Sequence, residues 1–125
     1  MTNKNIHEHP NEPLANYLRA HRRKTGFTQH EVARVLGRGT HGMVSHHERL
    51  GSVPPLVMAL SYQMLYRVPV SELFAGLAET VEFSVEAQLA EFESYLGEQS
   101  AGGPRAAAIA RKLEWLSERR SSGYK

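Results

Sequence analysis

Residues 26–49 read Gly-Phe-Thr-Gln-His-Glu-Val-Ala-Arg-Val-Leu-Gly-Arg-Gly-Thr-His-Gly-Met-Val-Ser-His-His-Glu-Arg, and this stretch decides the fold. Thr28 followed three residues later by Glu31 is a capping box. The threonine hydroxyl accepts from the amide of Glu31, and the carboxylate reaches back to the amide of Thr28. Val32, Ala33, Val35 and Leu36 then form the apolar stripe of a short helix that stops at Gly37. Arg38, Gly39 and Thr40 make a turn. A further helix is expected from His41 to Leu50, ended by Gly51 and by Pro54 and Pro55. Two short helices meeting at a small-residue turn form a unit in which the second lies across the first.

Working outward, Leu14, Tyr17, Leu18 and His21 fall on one face of a preceding helix that runs to Lys24 and is closed by Gly26. Downstream, residues 56–66 form a more apolar helix expected to be buried. Residues 69–77 give another short one with Leu73 and Phe74 pointing inward. Five short helices joined by short turns predict an all-α domain over residues 14–77. Residues 1–13, polar and carrying Pro10 and Pro13, read as a flexible arm.

The rest differs. Val81, Val85, Leu89, Phe92 and Leu96 recur at helical spacing and form a narrow apolar seam on one long helix. Residues 97–103 are a glycine-rich break, and Pro104 suits the first turn of a last helix carrying Ile109, Leu113, Trp115 and Leu116. Residues 78–120 are therefore expected to be a C-terminal helical segment for dimerisation or partner binding, and residues 121–125 a disordered tail.

The chain has 125 residues, 22% charged and 41% hydrophobic, which argues against both a disordered tail and a membrane protein. The first residues lack the apolar stretch of a signal peptide, and a cytoplasmic protein is expected. The net charge of +2 hides three blocks. Residues 1–77 sum to +4 and hold all seven histidines, residues 78–98 carry six glutamates and no base, and residues 99–125 sum to +4. There is no cysteine, which excludes disulfides, thiolate metal sites and a cysteine nucleophile. There is no aspartate either, so a Ser/His/Asp triad is excluded. The pairs His46 with His47 and His7 with His9 lack metal-site spacing, and no glycine loop has the strand and helix around it that a phosphate cradle needs. No enzyme activity, cofactor or metal is expected.

Residues 18–33 together with Leu36 and Gly37, the run Val44-Ser45-His46-His47-Glu48-Arg49, Pro54, and residues 68–74 resemble the Xre, or Cro/C1-type, helix–turn–helix regulators. The resemblance covers about residues 14–77. Two features depart from the family pattern: the turn before Val44 is about one residue longer and carries Gly39 and Gly42, and Leu50 stands where the family has glycine.

The resemblance implies a lambda-repressor-like five-helix DNA-binding domain followed by a C-terminal helical extension. It implies that Thr40, His41, Met43, Ser45 and His46 lie toward the major groove and read bases. Gln29, Arg19, Arg23, Lys24, Arg38 and Arg49 become candidate phosphate contacts. Val44 and His47 would pack inward, and Arg22 with Glu48 would be the ion pair that locks the reading helix. The expected partner is double-stranded DNA, bound by a homodimer acting as a nucleoid-associated bacterial repressor on a palindromic operator. The seam of Val81, Val85, Leu89, Phe92 and Leu96 would hold the dimer. The alternative is an antitoxin or interaction adaptor that uses the acidic C-terminal helix to bind a protein.

Overall fold

The structure, a computed structural model, describes residues 16–49, 51–99 and 102–123. The arm expected over residues 1–13 and the helix start expected at Leu14 lie outside the described residues. Among the described residues there are seven helices and no strand, so the chain is all-α. The helices are α1 (Leu18–Thr25), α2 (Gln29–Leu36), α3 (His41–Glu48), α4 (Leu56–Tyr66), α5 (Val70–Leu73), α6 (Ala75–Glu98) and α7 (Pro104–Ser122). The chain divides into two compact units, Met1–Thr80 and Val81–Lys125. The division expected after residue 77 falls inside α6, which has already begun at Ala75.

The first unit is built around Leu18, Val32, Val44, Met58, Tyr62, Leu73 and Phe74, one or two residues from each of α1 to α5 and the residue just after α5. Full burial of a large apolar side chain contributes about 1.5–3 kcal/mol, so this cluster is the main source of the unit's stability. The start of α1 is set by Asn16. Its side-chain oxygen accepts from the amide of Leu18 at 2.9 Å, and its side-chain amide donates to the carbonyl of His47 at 3.0 Å. Tyr17, expected on the buried face, is consequently the cap residue and is exposed. Its amide donates instead to the carbonyl of Leu73 at 2.8 Å.

Two expectations about buried faces are corrected. Val35 was expected in the inward stripe of α2 but is 56% exposed. Val32, Ala33 and Leu36 share one side of the helix, and Val35 lies about 100° of rotation away from their centre. The helix over residues 56–66 was expected to be a more apolar, buried one. Instead α4 buries only Met58, Ala59 and Tyr62 and leaves Leu56, Val57, Leu60 and Met64 exposed. The short helix expected over residues 69–77 is α5 alone, ending at Leu73, because the next residues already belong to α6.

In the second unit, Leu96 and Leu116 are the buried residues among those described. Leu96 therefore belongs to the interior of this unit and leaves the expected dimer seam; Leu89 is half-buried. Val81, Val85 and Phe92 remain exposed on α6, and Tyr95 stacks on Phe92 with ring centroids 6.1 Å apart. Arg119 pairs with Glu86 at 2.6 Å and Arg120 with Glu93 at 2.6 Å, so α6 and α7 exchange opposite charges within one chain. These pairs are solvated and add little stability. Helix α6 runs through Gly97, which was expected to begin a break, and α7 starts with Pro104 at its first turn. The tail expected from residue 121 is helical as far as Ser122, while residues 124 and 125 lie outside the described set.

Candidate nucleic-acid interface

The centre of the first unit's polar architecture is Glu48, the last residue of α3. Its side chain is 1% exposed. Arg22 on α1 grips it with two parallel hydrogen bonds, Nε donating to Oε2 at 2.7 Å and Nη2 to Oε1 at 3.1 Å. The third guanidinium nitrogen donates to the carbonyl of Phe27 at 3.1 Å. Gln29 donates from its side-chain amide to Glu48 Oε1 at 3.1 Å, and Arg19 Nε stands 3.6 Å from the same oxygen. Burial alone would raise the Glu48 carboxyl. The hydrogen bonds from Arg22 and Gln29 and the charges of Arg22 and Arg19 outweigh it and hold the group below the usual carboxylate range. One carboxylate thus joins α1, the first turn of α2 and the end of α3. Gln29, expected at a phosphate, spends one of its two amide hydrogens on this bracing contact.

His47, next to Glu48, is buried at 4% exposure, and its Nδ1 lies 2.8 Å from the hydroxyl of Tyr62. The two rings meet edge to face at 5.7 Å. Burial first, and the neighbouring His46 second, push the imidazole below its ordinary value. With Val44 at 0% exposure, His47 and Glu48 form the inward side of α3.

The outward side of α3 consists of His41, Gly42, Ser45 and His46, with Arg49 just past the end; all are exposed except Ser45, which is half-exposed. Thr40 caps the helix by accepting from the amide of Met43 at 3.3 Å. The turn over residues 37–40 is shaped by two glycines in the left-handed region, Gly37 at φ 69° and Gly39 at φ 70°. The Cβ of any other residue at Gly39 would overlap the end of the Met43 side chain. Met43 itself packs half-buried against the core. It was expected among the base readers, but its side chain is committed to the turn and the interior, and it leaves that set.

One contact escaped the sequence reading. His30, in the first turn of α2, stacks on His41, the first residue of α3, with ring centroids 3.9 Å apart and planes at 23°. The two are 11 positions apart across a turn, and no local spacing rule pairs them. The stack joins the starts of both helices at the edge of the outward face. Arg38 in the turn, and Arg23 and Lys24 at the end of α1, are exposed. Among the described residues no group of three or more metal-ligating side chains converges. No described helix is long and apolar enough to cross a membrane.

Comparison of the chain with family models, with curated proteins and with solved structures gives no match in any of the three.

Proposed function

We propose that the first unit is a lambda-repressor-like DNA-reading head, and that the chain is a sequence-specific regulator binding double-stranded DNA as a dimer on a palindromic operator. The observation that carries this is α3: a short helix braced from behind by the contacts of Arg22, Gln29 and Glu48, with an outer face of small and hydrogen-bonding side chains. A helix placed in the major groove must be rigidly held and must offer donors at base edges. His41 and His46 can donate to guanine N7 or O6, and Ser45 to either purine. Gly42 carries no side chain on that face and lets the backbone approach closely. Arg38 and Arg49 flank the helix as phosphate contacts, joined by Arg23 and Lys24. Arg19, drawn toward Glu48, is the weakest of the phosphate candidates. The C-terminal unit, with Val81, Val85 and Phe92 on its exposed seam, would set the distance between two heads, about 34 Å for half-sites one turn apart.

The reading is tested by selecting duplexes from a random pool with the full chain and measuring affinity for the selected and scrambled sequences across a salt series. Several phosphate contacts predict a steep linear fall of log K with log salt, and a preference of at least about a thousandfold for the selected site. Equal affinity for both duplexes, or a flat salt response, would overturn it.

A further inference from the structure

Helix α4 has eleven residues and not one charge. Its inner side enters the core. On its outer side Leu56, Leu60 and Met64 are 71%, 42% and 68% exposed. They are spaced i, i+4, i+8 and form a single ridge. Beside it lies a groove of about 410 Å³ lined by Val35, Leu36, Leu60, Ser61, Met64 and Leu65. The one polar side chain in that lining, Ser61, donates its hydroxyl to the carbonyl of Val57 at 2.7 Å and is satisfied within its own helix. The surface is therefore dry in character, with no charged group in its ridge or its groove.

We propose that this face binds the same face of a second copy of the chain, α4 against α4 about a two-fold axis near Leu60. Three observations select this occupant. The exposed side chains of Val35, Leu56, Val57, Leu60 and Met64 together offer several hundred Å² of apolar surface. That reaches the upper end of what monomers expose, and it would form the centre of the roughly 800 Å² per partner that a stable dimer buries. A two-fold contact brings like residues together, and a charge-free ridge meets itself without repulsion. A charged partner would gain no ion pair from it. Finally, a ridge lying beside a groove is self-complementary, since each copy's Leu56-Leu60-Met64 row can enter the other's groove. This surface belongs to the first unit, and the seam residues Val81, Val85 and Phe92 belong to the second. The proposal does not depend on DNA binding.

The chain's lack of cysteine makes the test clean. Leu60→Cys in the full chain reports a single position and is treated with a short bismaleimide cross-linker. A covalent dimer is expected as the main product. Adding Met64→Glu should cut its yield about tenfold or more, because each copy would bring a charge into the dry contact, while adding Ala107→Glu on the exposed side of α7 should leave it unchanged. Sedimentation velocity of Met64→Glu should show a smaller assembly than the wild type, with an unchanged helical circular dichroism spectrum. A second variant, Leu56→Glu, serves if Met64→Glu loses its fold. The proposal is overturned if Leu60→Cys yields only monomer, or if Met64→Glu lowers the yield no more than Ala107→Glu does. It is equally overturned if the wild type sediments as a monomer and the face is occupied only by a different protein.

Discussion

Glu48 ties α1, α2 and α3 together through one buried carboxylate. It is nearly inaccessible to water, and its two oxygens receive three hydrogen bonds from Arg22 and Gln29. Removing Arg22 leaves a buried carboxylate with only Gln29 and the distant Arg19. Arg22→Met should therefore cost about 3 kcal/mol of unfolding free energy, measured by urea denaturation. A loss under about 1 kcal/mol would mean that the pair is solvent-screened like a surface bridge. The same neighbourhood makes stability sensitive to acid. His47 and Glu48 are both held below their ordinary values in the fold. For each, the unfolded chain takes up the proton first as pH falls. Stability is complete above the unfolded-state value and is lost on acidification. His47 acts first, below pH about 6.5, and Glu48 follows below about 4.3. Denaturation curves across this range should show a two-stage decline, and His47→Gln should flatten the upper stage alone.

At the scale of elements, the caps were readable and the faces only in part. The capping box of Thr28 and Glu31 forms as its spacing predicts, because it is a local interaction over four residues. Glycines end α1 and α2 in the left-handed conformation for the same reason. Which apolar residues turn inward depends on what lies opposite, and there α4 and Val35 differ from expectation. Met43 follows the same logic: its position on α3 is compatible with the groove, but Gly39 opens a space that its side chain fills. This separates the residues of α3 experimentally. His41→Ala and His46→Ala should each reduce discrimination between selected and scrambled DNA by on the order of 1 kcal/mol, with the melting temperature unchanged for His46→Ala and lowered slightly for His41→Ala, which also loses the stack on His30. Met43→Ala should lower stability by on the order of 1 kcal/mol and leave discrimination intact. The reverse pattern would return Met43 to the reading set.

At the scale of the whole chain, the first unit has its own core and its own polar bracing, and the hydrogen bonds from Arg22 and Gln29 to Glu48 lie inside it. A fragment ending at Thr80 should therefore unfold cooperatively in urea. Its midpoint should lie close to that of the corresponding transition in the full chain, and a fragment without a sigmoidal transition would show that the second unit is required. Among the described residues the second unit buries Leu96 and Leu116, and the exposed seam of α6 keeps Val81, Val85 and Phe92 available to another surface. The sequence by itself determined the helical class, the capped pair of short helices, the pairing of Arg22 with Glu48 through the family resemblance, and the block pattern of charge. These follow from spacings of three or four residues or from motifs in fixed order. Only the tertiary structure decided the stack of His30 on His41, the withdrawal of Met43 and Leu96, and the bare apolar face of α4. Each of these depends on which residues distant in the chain meet, and helical periodicity alone does not encode that.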